Sequence, residues 1–279
     1  MKKKTLQRNF KVIANNKVKD NYFKLVLAAA GISSMARPGQ FVMIETSSTA
    51  FAPLLRRPMS IHSAQKGRIE ILYETVGEGS RILTQKRPGE HLNLIGPLGN
   101  GFEIADPGDR NSILVAGGMG VAPLLFLAEK LVEHKSKNAR VRIRVFIGAK
   151  TAGHLLCEKE FKSLGCDVKI ATDDGTKGFK GWVTELLEET LSGIATAMPR
   201  IYTCGPMSML ESIAGLASEY GMAAYGSFEA HMACGIGACM GCVIRTQDEK
   251  RKERNDFVYR RVCKEGPVFQ LNQVIWGEE

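Results

Sequence analysis

The sequence predicts a multi-domain protein: an antiparallel β-barrel, then an α/β domain with a doubly wound parallel sheet, then a small cysteine-rich domain. Three observations lead to this prediction. Short alternating runs fill residues 1–104, strand and helix patterns alternate through residues 105–220, and four of the seven cysteines fall within residues 221–279. A chain of 279 residues is long enough for two or three such units.

The first unit consists of strand-like runs separated by glycine and proline. Runs such as QFVMIET, RIEILYETV and EHLNLIGPLG alternate apolar and polar residues, as strands with one buried face do. A helical pattern is limited here to a short segment near SRILTQK. Consecutive short strands without long helices are typical of an antiparallel barrel or sandwich.

Within this unit, the segment RRPMS places a cation and a hydroxyl on either side of a proline. Pro58 restricts the backbone and holds it extended between Arg57 and Ser60. A guanidinium forms paired hydrogen bonds with a diphosphate, and a serine hydroxyl can bond to a flavin ring nitrogen. An arginine near a proline is also common on ordinary protein surfaces, so the motif alone leaves both interpretations open.

The second unit alternates strands and helices. SILVAGG, VRIRVFIGA, DVKIATDDG and RIYTCGP have strand patterns, whereas APLLFLAEKLVEHK, WVTELLEETL and MSMLESIAGLASEYG have helical ones. Repeated units of this kind predict a parallel sheet with helices on both faces. The predicted joints to the neighbouring units are IADPGDR at 104–110 and EYGMAAYGS at 219–227.

Ligands of such sheets bind beyond the carboxyl ends of the strands, so the turns there are the candidate sites. Gly117, Gly118 and Gly120 follow the first strand; they either expose backbone N–H groups to a diphosphate or simply form a tight turn. Asp173 and Asp174 follow the third strand. Their carboxylates accept hydrogen bonds from ribose hydroxyls and repel a 2′-phosphate, which favours NAD over NADP, although acidic turns also occur without a ligand.

The turn after the fourth strand holds Cys204, Gly205 and Pro206. A cysteine is compact and polarisable, so Cys204 fits against a nicotinamide ring and is the candidate catalytic residue. The alternative is that Cys204 is simply a small buried hydrophobic side chain.

The third unit has the cysteine spacing of a cluster site. Cys234, Cys239 and Cys242 follow the pattern C-x4-C-x2-C, and Cys263 lies further along the chain. This is the plant-type ferredoxin arrangement for a two-iron two-sulfur cluster, and the intervening glycines let backbone N–H groups point at the sulfurs. Zinc is the competing metal, but it prefers two short-spaced pairs, whereas the fourth cysteine stands alone here. The odd cysteine count argues against a disulfide framework and favours a reducing compartment.

The charge and hydropathy of the chain exclude two classes of partner. Of the net charge of +9, residues 1–24 contribute +7 and residues 245–264 contribute +4. Because no aromatic interleaving or nucleic-acid motif accompanies these segments, they predict solvated faces rather than a nucleic-acid site. The chain has no apolar run of the ~18–20 residues that a membrane helix needs, and no apolar signal-peptide region. We therefore expect a soluble, cytoplasmic protein without a nucleic-acid or membrane partner.

Taken in order, the motifs RRPMSI, GPLGNGF, GGMGVAPL, ATDDG, YTCGPM, CGIGACMGC and VCKEGPVF resemble one family over nearly the whole chain. This is the family of flavin-containing electron transfer subunits of NAD-dependent bacterial dihydroorotate dehydrogenase, within the ferredoxin–NADP reductase superfamily. The resemblance implies an FAD-binding barrel at 1–104, an NAD-binding domain at 105–220 and a two-iron two-sulfur domain at 221–279. FAD would convert the two-electron chemistry of a nicotinamide into single electrons for the cluster.

The resemblance also implies site residues and a partner. The implied FAD contacts are Arg57, Pro58, Met59, Ser60, Leu72, Tyr73, Glu74, Gly79 and Ser80, and the implied cluster ligands are Cys234, Cys239, Cys242 and Cys263. The implied partner is a separate FMN-containing catalytic subunit, in a heterotetramer of two plus two, which supplies the dihydroorotate site that this chain lacks.

Two departures and two alternatives accompany the resemblance. The basic N-terminus and the charged insertion at 245–257 are more pronounced than the family pattern requires. The small subunit of NADH-dependent ferredoxin:NADP oxidoreductase shares the architecture, but it typically replaces one cluster cysteine with aspartate, and this chain keeps all four. A zinc-stabilised binding module does not account for the flavin motif.

Overall fold

The computed structural model describes residues 5–47, 52–104, 111–134, 142–193, 199–248 and 257–277. Most of the predicted joint at 104–110 and the middle of the charged insertion lie outside these ranges. The described residues form two seven-stranded sheets and one two-stranded ribbon.

Sixteen strands and six α-helices make up the described part of the chain. The strands are β1 (Leu6–Lys19), β2 (Tyr22–Ala28), β3 (Phe41–Ile44), β4 (Arg57–Ser60), β5 (Ser63–Gln65), β6 (Arg68–Glu74), β7 (His91–Leu98), β8 (Ser112–Gly117), β9 (Ile143–Ala149), β10 (Asp167–Thr172), β11 (Phe179–Lys180), β12 (Arg200–Cys204), β13 (Ala224–Ser227), β14 (Val243–Gln247), β15 (Phe257–Arg261) and β16 (Val268–Gln270). The helices are α1 (Ala30–Ser33), α2 (Glu78–Thr84), α3 (Val121–Glu133), α4 (Glu158–Ser163), α5 (Val183–Leu191) and α6 (Met207–Glu219).

The first sheet is antiparallel, with strand order β4-β3-β7-β1-β2-β6-β5. It curls into a half-barrel, so that His62, just after the edge strand β4, donates its backbone N–H to Glu70 O in β6 at 2.8 Å. Alternation along β6 buries Ile69, Ile71 and Tyr73 on the inner face. The predicted antiparallel unit is therefore confirmed.

The second sheet has the order β11-β10-β9-β8-β12-β13-β16 and is parallel except for β16, which runs antiparallel to β13. Helices α3 and α4 contribute to the hydrophobic cluster on one face, and α5 and α6 to the cluster on the other. This arrangement confirms the predicted doubly wound domain. The strand order reverses between β8 and β12, and the crevice at such a switch point is where ligands of these sheets bind.

The C-terminal residues are packed against both other units. Strands β13 and β16 lie within residues 221–279 yet pair into the second sheet, while β14 and β15 form the separate ribbon. Asn100, at the end of the barrel, donates its backbone N–H to Gly266 O at 2.5 Å and its side-chain amide to Glu265 O at 2.7 Å. The cysteine-rich unit is thus held in place by contacts with both the barrel and the second sheet.

Among the described helices, none is long and apolar enough to cross a membrane.

Candidate functional site

A cleft of about 460 Å³ lies between the half-barrel and the second sheet. All nine residues predicted to contact FAD line it, and so does Cys204 from the carboxyl end of β12. The nine are Arg57, Pro58, Met59, Ser60, Leu72, Tyr73, Glu74, Gly79 and Ser80. Residues far apart in the sequence thus meet in a single concave surface, with the switch point of the sheet at one side.

The guanidinium of Arg57 lies directly over Gly79. A Cβ atom at position 79 would come within 2.5 Å of Arg57 Nε, so any side chain there would displace the guanidinium. Arg57 Nη1 also donates to Leu55 O at 2.7 Å, which orients the planar group. A fixed, forked cation at the wall of an open cleft suits a diphosphate, because a guanidinium binds phosphate oxygens in pairs. These residues fit the FAD that the sequence predicts.

Two of the predicted FAD contacts have hydroxyl groups that are already engaged. Ser80 Oγ accepts hydrogen bonds from the N–H groups of Val76 (3.0 Å) and Gly77 (3.1 Å), so it stabilises the turn that enters α2. Tyr73 donates its hydroxyl to Asn15 Oδ1 at 3.0 Å, and burial raises the pKa of Tyr73 to about 12. Ser80 and Tyr73 therefore shape the cleft, whereas Arg57 supplies charge to it.

The glycine-rich turn after β8 is built mainly to pack against the turn after β12. A Cβ atom at Gly120 would come within 1.8 Å of Cys204 O, and one at Gly117 would come within 2.8 Å of Met209 Sδ and 2.9 Å of Pro206 Cδ. These two glycines hold the two turns of the switch point together. Gly118 differs, since its φ is +53° and no atom lies within 4 Å of a Cβ built there. It is the member of the three that leaves room for a ligand.

The two carboxylates of the acidic turn after β10 are both exposed, and that of Asp174 is hydrogen-bonded within the turn. Asp174 Oδ1 accepts hydrogen bonds from the backbone N–H (3.0 Å) and hydroxyl (2.6 Å) of Thr176, and these bonds lower the pKa of Asp174. The backbone N–H of Asp173 donates to Ala149 O at 3.1 Å, and its side chain is exposed. Asp173 is thus the better placed of the two to accept hydrogen bonds from a ribose.

Cys204 is 3 % exposed at the floor of the cleft. Burial, with a contribution from the negative charge of Glu229, raises the pKa of the Cys204 thiol. The side chain is therefore neutral at physiological pH. The next residue, Gly205, packs closely against Gly117, since a Cβ at position 205 would lie 3.1 Å from Gly117 Cα. Such a neutral, compact group suits contact with a planar ring rather than nucleophilic chemistry.

The four predicted ligand cysteines lie as two neighbouring pairs. The backbone N–H of Ala238 donates to Cys234 Sγ at 3.3 Å, and the thiols of Cys234 and Cys239 interact with each other. The backbone N–H of Cys263 donates to Cys242 Sγ at 3.4 Å, and those two thiols interact in turn. The first pair lies towards solvent, whereas the second is buried.

One thiol of each pair has a shifted acidity. Around Cys234, partial burial opposes ionisation, but N–H donors from Ile236, Cys239 and Ala238 outweigh it and lower the thiol pKa to about 6. Burial raises the pKa of Cys263 to about 12, and the neighbouring Cys242 adds to the effect. A bound metal would have to ionise Cys263, as cluster irons do to their thiol ligands.

The arrangement suits two metal centres better than one. A structural zinc site gathers four ligands around a single ion, whereas a two-iron two-sulfur cluster takes two thiolates on each iron. Two thiol pairs with N–H groups aimed at sulfur therefore fit the predicted cluster.

One wall of the cleft was not predicted from the sequence. It is formed by the segment after β13, and its members are Ser227, Phe228, Glu229, Ala230 and Met232. Desolvation in this wall raises the pKa of Glu229. The available signal was position: β13 is parallel to β12, so the residues after it lie at the ligand-binding edge of the sheet. The sequence pattern predicts only a joint between units at EYGMAAYGS, where the structure has β13.

Two family models match the chain. The iron–sulfur cluster binding domain of dihydroorotate dehydrogenase B matches residues 229–275, and the oxidoreductase NAD-binding domain matches residues 114–215. Among solved structures, that of NADH-dependent reduced ferredoxin–NADP oxidoreductase is similar with a TM-score of 0.80 and 27% identity, covering 96% of this chain and 90% of that one. The ferredoxin reductase of carbazole 1,9a-dioxygenase has the same fold, with a TM-score of 0.62 and 20% identity over 78% of this chain and 67% of that one.

The fold, the flavin cleft and the cysteine site therefore define a ferredoxin-reductase-like flavoprotein oxidoreductase that uses FAD, NAD and a two-iron two-sulfur cluster. Two curated relatives specify the family. The dihydroorotate dehydrogenase B (NAD(+)) electron transfer subunit of Desulforamulus reducens is 39% identical over 95% of this chain and 97% of its own length. Its Bacillus cereus counterpart is 36% identical over 96% and 98%. The chain belongs to the family of dihydroorotate dehydrogenase B electron transfer subunits.

Proposed function

We propose that this chain carries electrons between NAD(H) and a separate FMN-containing catalytic subunit that acts on dihydroorotate, and that the two subunits assemble as a heterotetramer of two plus two. The observation that carries the proposal is the continuity of the cleft. Its lining runs from the FAD residues of the barrel to Cys204 at the switch point, and on to Met232, two residues before the first cluster cysteine.

Each part of the site has a proposed task. Arg57 would hold the FAD diphosphate, and the cleft walls would enclose the flavin. Gly118 and Asp173 would contact NAD, and Cys204 would position the nicotinamide ring. FAD would supply the conversion between hydride transfer and single-electron transfer. The chain itself orients the two rings and excludes water between them, since Cys204 and Ser227 are both buried at the floor.

Cys234, Cys239, Cys242 and Cys263 are the proposed cluster ligands. The loop that carries the first three lies directly on the barrel, because a Cβ at Gly235 would come within 2.5 Å of Met43 Cγ. Met43 is in β3, two residues after Phe41, which lines the cleft. A single strand thus spans the short interval between the flavin site and the cluster loop.

The proposed docking face for the catalytic subunit is the outer side of this loop. Cys239 is exposed, and the flanking Ile236 and Met240 are 53% and 49% exposed. Exposed apolar side chains around a redox ligand suit a partner that must bring its own cofactor close. Methionine is also enriched in such interfaces.

The test is co-expression of the chain with its candidate catalytic subunit, followed by purification of the complex. We expect FAD, FMN and a two-iron two-sulfur signal in electron paramagnetic resonance, a two-plus-two mass, and reduction of NAD⁺ by dihydroorotate. Cys242→Ser should abolish the cluster signal and the coupled reaction. Cys166→Ser, at a buried cysteine outside the loop, is the matched control and should leave both in place.

Two outcomes would contradict the proposal. A complex that couples NADPH to ferredoxin without reacting with dihydroorotate would identify the chain as the small subunit of the related oxidoreductase. Stoichiometric zinc with no iron or flavin would identify a metal-stabilised binding module.

A further inference from the structure

The turn that carries Cys263 is organised around one residue of the basic segment 245–264, Arg261. The carbonyl of Arg261 accepts hydrogen bonds from the N–H groups of Lys264 (3.1 Å), Glu265 (2.9 Å) and Gly266 (3.1 Å). The backbone N–H and Nε of Arg261 donate to Glu265 Oε2 at 2.8 and 3.0 Å. Main chain and side chain together fix the turn on both sides of Cys263.

The same guanidinium reaches across to the other half of the cysteine site. Arg261 Nη1 donates to Gly237 O at 2.6 Å, in the middle of the loop between Cys234 and Cys239. At that point the loop has no room for a side chain, because a Cβ on Gly237 would come within 2.4 Å of Lys264 Cδ. Arg261 and Lys264 therefore hold the loop between Cys234 and Cys239 at a fixed separation from the Cys263 turn.

The ion pair between Arg261 and Glu265 is partly buried. The side chains of Arg261 and Glu265 are 24% and 28% exposed, so their interaction is less screened than that of a surface ion pair. Reduction of a cluster held by four thiolates adds one negative charge. A neighbouring cation favours the reduced form, and a neighbouring carboxylate opposes it.

We propose that Arg261 is a positioning and tuning residue for the cluster: it fastens the three-cysteine loop to the Cys263 turn through Gly237 O, and its charge, moderated by Glu265, raises the reduction potential of the cluster. This inference rests on the proposed ligand set of Cys234, Cys239, Cys242 and Cys263. It gives a function to one residue of the basic segment 245–264, which the sequence predicts to be a solvated face.

Three variants separate the positioning function of Arg261 from its tuning function. Arg261→Gln removes both the charge and the planar fork, Arg261→Lys keeps the charge alone, and Glu265→Gln leaves the cation without its carboxylate. The matched control is Arg260→Gln, because Arg260 donates to Thr246 Oγ1 at 3.0 Å, in the ribbon. It removes the same formal charge one residue away.

The measurements are made on the purified complex. Cluster retention is followed by visible circular dichroism during exposure to an iron chelator, and the reduction potential by redox titration with paramagnetic resonance detection. We expect Arg261→Gln to lose the cluster about tenfold faster, the magnitude typical of changes to groups that support metal ligands. Its potential should fall, that of Glu265→Gln should rise, and Arg261→Lys should restore the potential more fully than the retention. Arg260→Gln should match the unmodified complex in both measurements.

Equal reduction potentials in Arg261→Gln and the unmodified complex would overturn the tuning function. Equal rates of cluster loss in the two would overturn the positioning function. Shifts of the same sign in Arg261→Gln and Glu265→Gln would also contradict the electrostatic argument, since these variants change the local charge in opposite directions. A complex whose unmodified form has no iron–sulfur signal would instead contradict the proposed function.

Discussion

Gly79→Ala tests the link between the Arg57 guanidinium and FAD. The added Cβ would lie 2.5 Å from Arg57 Nε, closer than real Cβ contacts occur, and 3.1 Å from Cζ, so the guanidinium must move. The atoms it meets belong to a flexible side chain rather than to backbone, so the barrel is expected to fold. The predicted effect is therefore on FAD binding, not on stability.

The magnitude follows from the interaction that is lost. Charge-assisted hydrogen bonds contribute about 1.5–3 kcal/mol, so displacing the guanidinium should weaken FAD binding by about 10- to 150-fold. Affinity is measured by titrating the deflavinated protein with FAD and following the quenching of flavin fluorescence. Gly215→Ala, in the open interior of α6, is the control, because no atom lies within 4 Å of a Cβ built there.

A double-mutant cycle decides whether the effect passes through Arg57. Residues that act as one unit are not additive, so Gly79→Ala should have almost no further effect in an Arg57→Ala background. If the two substitutions add fully, or if Gly79→Ala binds FAD with normal affinity, the guanidinium is not the group that Gly79 accommodates, and the reasoning is refuted.

Three further substitutions test the rest of the cleft and its support. Gly120→Ala places a Cβ against the backbone carbonyl of Cys204 at 1.8 Å, so it should destabilise the protein by about 1–3 kcal/mol; an unchanged melting temperature would contradict this. Cys204→Ala should slow the reduction of FAD by NADH by about 10²-fold at unchanged FAD content, as stopped-flow flavin bleaching would show, since misplaced reactants lose rate steeply; an unchanged rate would leave Cys204 a packing residue. His62 is buried with Nδ1 donating to Ala122 O at 2.9 Å, and burial lowers its pKa below 6.5. The unfolded chain then binds more protons below that pH, so stability falls as the pH drops, and His62→Asn should flatten the melting-temperature profile below pH 6.5; an equally steep profile would assign the acid sensitivity to other groups.

Features with a local sequence pattern were predicted well. Alternation marks β6 and β9, helical spacing marks α3 and α6, and the turns after β8 and β12 meet at the switch point as parallel strand ends must. The convergence of the predicted FAD residues in one cleft followed from the family resemblance, because no single motif specifies a surface made from three separate segments.

Features that depend on a distant partner were not predicted. Position 120 requires a glycine because the carbonyl of Cys204 packs against it, and position 79 because the guanidinium of Arg57 lies over it. Neither contact can be predicted from the local sequence. Ser80 is predicted to contact FAD and lines the cleft, but the local role of its hydroxyl, which accepts hydrogen bonds from Val76 and Gly77 in its own turn, was not predicted. A serine three residues after a turn glycine has a local hydrogen-bond partner available, and such local bonds compete with ligand contacts.

The position of β16 connects the proposed cluster loop to the proposed nicotinamide side of the cleft. The chain leaves β13 as the cleft wall at Ser227 and Phe228, forms the cysteine loop and ribbon, and returns through Cys263 to pair β16 with β13. Phe228 donates its N–H to Pro267 O at 2.9 Å, only four residues beyond the fourth cysteine. A displacement of the Cys263 turn therefore pulls directly on the wall that faces Cys204. We expect loss of the cluster to loosen nicotinamide binding as well as to stop electron transfer, which would make NAD affinity lower in the iron-depleted protein.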